Sequence, residues 1–530
     1  MLKKVSKIIV LCMVMAFTVF MFGGCGGEAQ SEADADTLVI STPIDTGNLN
    51  PHTYNSPMWI QTMVYEGLTD FDNGEVKPGM AQSWDITEDG REYTFHLRSG
   101  NVFSDGTAVT ADIVKKNFDA VLAHRDVHNW VESINQMQEV VVIDENTVKI
   151  ILKEPFSSFL QELSLARPLR VGAEAIFPGN GDTGENIKEP IGSGMWLQKE
   201  YVEGQYTVFE RNDKYWGEKP SYKFLKFSVI PDINTAVSSL KAGEIDLIYD
   251  IEGQMTGDAY NDLEKSGYKT ISSEPMTTNN LLLNTSSSAT KDLNVRLALE
   301  YATDKKAIAD NVFYGLQTPA DTLMSTQTPY CDIGLTPYDY NLDKAKSLLE
   351  ESGWKLADGA TYRSKDGKEL AIDFIYLGDN DAQKNIGQVL QNQYQQIGIK
   401  VNLLAQEKQT YGDKQKSGEF GMLLAETWGD PFDPHSYLSS FRNPSHGDYA
   451  AQVGLPMKKE IDNTINKALN STDTKMVQES YDYVLRTLHE QAVYVPITYT
   501  TKQAAFGDNI SKVRFNTLVE SPFGEIELNK

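Results

Sequence analysis

Apolar residues recur along this chain with two different periods, and the alternation between them predicts a mixed α/β fold. Tyr93, Phe95 and Leu97 alternate with polar neighbours, as do Val148, Ile150 and Leu152, so both stretches are expected as strands against a core. Between them, Ala111 to Leu122 sets Ile113, Val114, Phe118, Val121 and Leu122 at helical spacing, with Asp112 in the first turn to suit the helix dipole. Thr235 to Ala242 followed by Gly243 reads as a helix with a glycine stop, leading to a strand from Ile245 to Tyr249. Leu342 to Ser352, opened by Asn341 and closed by Gly353, reads as another capped helix. Near Pro275 the texture changes. Asn279 to Leu283 is expected as a short strand entering a new unit, and Asp292 to Gly315 as a strongly helical stretch. Val493 to Thr498 is expected to cross back, and two such crossings make a hinge geometry.

The start of the chain is set apart. Lys3, Lys4 and Lys7 precede an apolar run from Ile8 to Phe22 and then Gly23-Gly24-Cys25, the layout of a secretory leader over residues 1–24. The run is too short to span a bilayer comfortably. A cysteine straight after Gly-Gly resembles a lipobox, although Phe22 stands where that signal usually has leucine; Cys25 is therefore expected to carry lipid. Residues 25–36 are small, polar and acidic, as suits a flexible tether. Most of the 530 residues remain, too many for one core, so at least two lobes are expected. With 48 basic and 74 acidic residues the net charge is −26, more negative still once the leader is removed. That repels phosphate backbones and excludes nucleic acid as a partner. Of three cysteines, Cys12 leaves with the leader, Cys25 carries lipid and Cys331 has no partner, which excludes a disulfide framework.

The densest chemistry lies between Glu426 and His446. Pro431, Pro434 and Pro444 break any continuous helix there, leaving a stiff loop able to bring Trp428, Phe432 and His446 to one small space. Packed aromatics alone account for such a loop equally well. Gly179-Asn-Gly-Asp-Thr-Gly184 matches a dinucleotide-binding string, but no strand precedes it and no helix follows, so it reads as a turn-rich loop. His124 and His128 are spaced for one helix face, yet no Cys or carboxylate pattern completes a zinc site. There is no G-x-S-x-G and no Walker A loop, so an exported hydrolase has little support.

Several stretches resemble one family. Val64-Tyr-Glu-Gly-Leu-Thr69, Ser104-Asp-Gly-Thr107 with Ala111-Asp112, Arg296-Leu-Ala-Leu-Glu-Tyr-Ala302 with Asp304-Lys305, and Asn341 to Trp354 are similar to the nickel/dipeptide/oligopeptide branch (family 5) of ABC-transporter solute-binding proteins. Asn50-Pro-His-Thr-Tyr54, Phe159-Leu-Gln-Glu-Leu163 with Arg167-Pro168, Arg211-Asn212 with Tyr215 to Pro220, and Leu485 to Ile497 resemble its nickel-chelate-binding members in particular. The resemblance implies a two-lobed periplasmic-binding-protein-like α/β fold of the large, three-subdomain type. Residues 37–275 plus 497–530 form lobe I and 276–496 lobe II. It also implies a non-enzymatic monomer that holds a small ligand between the lobes, at the extracytoplasmic face of the membrane. The ligand is then handed to a permease driven by a separate ATPase.

By the same resemblance Arg167 clamps the carboxylate of a chelator, a task its rigid fork suits better than lysine. Arg170 is a second, supporting candidate. Trp130 and Trp428 wall the cavity, Tyr54 and Met58 line it, and Phe432 stands where the nickel-binding members have tyrosine. His446 becomes the metal ligand, with an organic chelator such as L-histidine supplying the other donors to Ni(II). His435 is expected to serve hydrogen bonding within the loop. Asp430 occupies the place where peptide-binding members keep an aspartate for the ligand's α-ammonium. Two cargoes follow: a nickel or related transition-metal chelate, or a di- or oligopeptide.

Overall fold

Three large sheets, with three two-stranded ones beside them, are formed by the described residues. The computed structural model describes residues 36–72, 75–250, 253–275, 277–428, 434–515 and 523–529. The leader, the tether with Cys25, and Asp430 and Phe432 lie outside the described residues. A seven-stranded sheet runs Lys269–Ser272, Gln503–Phe506, Leu247–Asp250, Thr37–Thr42, Phe224–Val229, Tyr206–Arg211, Trp196–Val202. A six-stranded sheet runs Thr318–Pro319, Tyr494–Thr500, Thr277–Leu283, Met422–Glu426, Ala371–Leu377, Lys400–Gln406. A four-stranded antiparallel sheet runs Ala81–Ile86, Glu92–Leu97, Thr147–Leu152, Met137–Asp144.

The four-stranded sheet shows how pattern becomes position. In both Glu92–Leu97 and Thr147–Leu152 every second residue is buried, as strand geometry requires. The helix Ala111–Leu122 turns Ile113, Val114, Phe118 and Val121 inward, each contributing roughly 1.5–3 kcal/mol of burial. Thr110 caps it by accepting from the Ile113 N–H, worth about 1 kcal/mol. The helix ends at Leu122. A turn then carries His124, His128 and Trp130 before the short helix Glu132–Gln136 leads into the edge strand. The two histidines therefore do not share a helix face.

The chain leaves the seven-stranded sheet after Ser272, enters the six-stranded one at Thr277, and returns between Thr500 and Gln503. The outgoing strand Thr277–Leu283 pairs antiparallel with the returning strand Tyr494–Thr500, so the two passages lie side by side. Their register slips between Asn279 and Asn280, opposite Thr498 and Pro496. Such an irregularity is what lets a proline, which has no N–H, sit inside a paired strand. From Leu38 to Lys530 the residues form one compact unit. One hydrophobic cluster joins Phe95 and Ile150 of the four-stranded sheet to Leu282 and Leu423 of the six-stranded sheet.

Three local expectations are corrected. Asp292 to Gly315 is not one helix but two, Leu293–Ala302 and Lys305–Asn311. Thr303 is extended there, and Asp304 opens the second helix by accepting from the Ala307 N–H at 2.9 Å. The helix expected from Thr235 starts at Ile233, because Asp232 caps it, and still ends at Gly243 with φ +73°. The proline-rich stretch is not all loop: His435–Ser440 is helical, starting straight after Pro434.

Candidate ligand-binding cleft

Residues from connections beside the three large sheets converge on one aromatic cluster. Tyr54 comes from the loop between the strand Thr37–Thr42 and the helix Met58–Val64. His128 and Trp130 come from the turn after the helix Ala111–Leu122, and Arg167 follows the short helix Phe159–Glu162. Trp428 follows the strand Met422–Glu426, and His446 opens the helix Gly447–Gln452.

The Tyr54 and Trp130 rings lie 5.8 Å apart, Trp130 meets Trp428 edge-on at 5.5 Å, and Trp428 stacks on His446 at 5.7 Å with 26° between planes. The Arg167 guanidinium sits 5.0 Å from the Tyr54 ring centre and donates to the Ser56 carbonyl at 2.7 Å. Trp130 Nε1 donates to the Tyr54 hydroxyl at 2.8 Å, and that hydroxyl lies 2.7 Å from His128 Nδ1. Tyr54, Trp130, Arg167, Trp428 and His446 are all half-buried, so the cluster is partly open rather than core. Met58, also half-buried, begins its helix two residues beyond Ser56.

Burial sets the charge states. The His446 imidazole is held below its ordinary pKa by burial and by the nearby Lys416 cation, which keeps it neutral at neutral pH. Its side chain caps nothing, and among the described residues its ring nitrogens make no hydrogen bond. Burial pushes Tyr54 up to about 12 and His128 down to about 4. The helix carrying His446 is fixed from behind. Asp448 accepts from Tyr437 at 2.8 Å and Tyr494 at 3.0 Å, and Tyr437 meets Trp428 edge-on at 6.0 Å. Arg442 reaches Glu132 at 2.9 Å and Asn443 reaches Asn129 at 3.2 Å, linking this segment to the turn that bears Trp130.

His435 reaches beyond the loop. It is buried, with Nε2 3.1 Å from Ser157 Oγ and Nδ1 on the Tyr481 hydroxyl, so it ties the stretch to two distant segments. Arg170 is buried and donates to the carbonyls of Leu165 at 2.9 Å and Ser164 at 2.5 Å, a scaffolding role. It also borders a separate cavity of about 170 Å³ with Glu66, Asp70, Tyr215 and Trp216. There the buried Glu66 accepts from Trp216 and Ser193, both at 2.6 Å, and from Asn101 at 3.5 Å. Sequence reasoning missed His128 as part of the cleft. The signal available was its place two residues before Trp130, beyond the helix end.

Half-open aromatic walls, a cation at one corner and a neutral imidazole at another make a place to hold a polar solute. The protein class that fits is a transport component that binds and releases rather than transforms. The sequence agrees. Residues 75–449 match the model for bacterial extracellular solute-binding proteins, family 5 middle, and the chain belongs to that family, whose members are binding proteins of transport and not enzymes. It is 39% identical over 514 residues to the nickel-binding periplasmic protein of Escherichia coli K12, covering 96% of this chain and 98% of that one. It is 25% identical over 505 residues to the dipeptide-binding protein of the same organism, covering 89% and 90%. The crystal structure of NikA from Brucella suis in complex with Fe(III)-EDTA superposes with a TM-score of 0.91 at 43% identity, over 93% of this chain and all of the other.

Proposed function

We propose that this protein captures a nickel or related transition-metal chelate outside the cytoplasm for an ABC importer. The observation that carries the reading is His446: a neutral, half-buried imidazole stacked on Trp428, with both nitrogens unclaimed among the described residues. A neutral imidazole is a good donor to divalent nickel. Among the described residues no group of three or more His, Cys, Asp or Glu is placed to hold a metal ion. The other donors then come with the cargo, from an organic chelator such as L-histidine. Arg167 meets a chelator carboxylate, and Trp130 and Trp428 flank the complex. The likeness to the nickel-binding and Fe(III)-EDTA-bound relatives supports this choice over a peptide.

On this reading Cys25 bears the lipid that tethers the monomer to the membrane. The hinge between lobe I (37–275 with 497–530) and lobe II (276–496) falls where the chain passes between the two sheets, after Ser272 and, on the return, between Thr500 and Gln503, a few residues beyond the expected bound at 497. Calorimetric titration of the soluble chain lacking residues 1–25 tests the cargo. Nickel alone, L-histidine alone, both together and a dipeptide pool are compared. Saturable binding only with metal and histidine together is expected; metal-independent binding of dipeptides would retire the reading.

A further inference from the structure

We infer that His128 is a positioning residue that fixes the Tyr54 hydroxyl as a hydrogen-bond acceptor toward the cleft, so that cargo placing an N–H or metal-bound water against it is selected over cargo placing a carboxylate oxygen there. The inference rests on the chelate reading and names the chemistry one corner of that site selects.

The argument is a count of protons and lone pairs. Indole Nε1 can only donate, so the 2.8 Å contact from Trp130 occupies one lone pair of the Tyr54 oxygen. The phenol proton then has two possible directions: to His128 Nδ1 at 2.7 Å, or away into the cleft. The second requires His128 to carry its proton on Nδ1 and crowds two donors onto one phenol oxygen. It also turns the phenol proton out where the neighbouring Arg167 guanidinium, itself only a donor, offers nothing to accept it. The first aligns three groups head to tail, indole N–H to phenol O–H to imidazole nitrogen, and hydrogen bonds in such a chain strengthen one another. Burial keeps the imidazole neutral, so its Nδ1 lone pair is there to accept. What faces the cargo is the remaining lone pair of the hydroxyl.

This corner therefore sets an acceptor, the Tyr54 hydroxyl, beside a donor, Arg167, whose guanidinium lies 5.0 Å from the centre of the Tyr54 ring. The complementary edge is an amine N–H or metal-bound water beside a carboxylate, as an amino-acid chelate presents. A chelator that offers only carboxylate oxygens meets a lone pair at Tyr54. Hydrogen bonding tells such ligands apart better than shape does, because a mismatched pair leaves buried groups unsatisfied.

The test is a selectivity ratio. Affinities for nickel–histidine and nickel–EDTA, whose tertiary amines carry no N–H and whose polar face is carboxylate, are measured by calorimetry on wild type, His128→Phe, His128→Gln and Tyr54→Phe. In His128→Phe the phenol proton is released to the cleft, and the ratio is expected to shift about tenfold toward the EDTA complex. His128→Gln returns an acceptor and is expected to restore the wild-type ratio. In a Tyr54→Phe background the His128 substitution is expected to leave the ratio unchanged. Nitrogen NMR of the wild type is expected to show His128 Nδ1 unprotonated. Equal weakening of both chelates in His128→Phe, or a protonated Nδ1, overturns the inference. If wild type binds neither chelate, the nickel reading fails, while the NMR measurement still decides which way the hydroxyl points.

Discussion

The aromatic cleft and the Glu66 cavity are both polar hollows, yet their polar groups are in opposite conditions. In the cavity the strong groups are already engaged. Glu66 takes three side-chain donors and Arg170 serves main-chain carbonyls, so these groups hold the fold. In the cleft His446 keeps both nitrogens available among the described residues, and with His128 accepting, as inferred above, Tyr54 keeps a lone pair. What separates a binding site from a structural hollow here is spare hydrogen-bonding and ligating capacity, not volume.

That contrast can be broken at four places, from the largest expected effect down. Glu66→Ala should cost about 3 kcal/mol of stability, because it strands the buried Ser193 and Asn101 donors, while cargo affinity of the folded fraction stays within about twofold. Urea denaturation alongside calorimetry reads both; a large loss of affinity with intact stability would mean the cavity is functional.

Acid makes the next test. His52, buried with Nδ1 2.7 Å from Thr183 Oγ1, is pushed down to about 4 by burial, against about 6.5 in the unfolded chain. Between those values the unfolded state binds the extra proton. Stability should therefore fall as pH drops from about 6.5 to about 4, by up to ~3 kcal/mol, and be flat in this term above 6.5. A urea-midpoint series should be flatter over that window in His52→Gln; equal slopes would refute the assignment.

His446→Ala is expected to weaken nickel–histidine binding about 100-fold, near 2.7 kcal/mol, with the thermal midpoint nearly unchanged. Loss of stability with affinity kept would move His446 to the structural side. Smallest is Trp428→Leu, which removes a flat wall but no donor. About tenfold weaker binding is expected, and no change would place Trp428 with the core aromatics.

Local features were legible where a pattern and a cap agreed. Ala111–Leu122 has both an apolar face and Thr110, and the expected bounds hold. Where a cap lay inside an apolar run, reading failed. Asp304 opens a second helix within a stretch whose periodicity continues through it, and a period count does not see one capped residue. That the candidate residues meet was an expectation carried only by resemblance. Tyr54, Trp130, Arg167, Trp428 and His446 come from distant loops and a helix start, and no local pattern encodes that meeting. His128 stayed hidden because helical spacing from His124 was extended past Leu122, where the helix has already ended.

The convergence of connections beside three sheets on one cluster has a consequence for stability. On the proposed reading, a cargo touching Tyr54, Arg167 and His446 is a non-covalent staple between stretches from opposite ends of the described chain. Held at a hundred times its dissociation constant, it adds about 2.7 kcal/mol to the folded state by mass action. Loading and stability become one variable, so the thermal midpoint of the carrier reads how full it is.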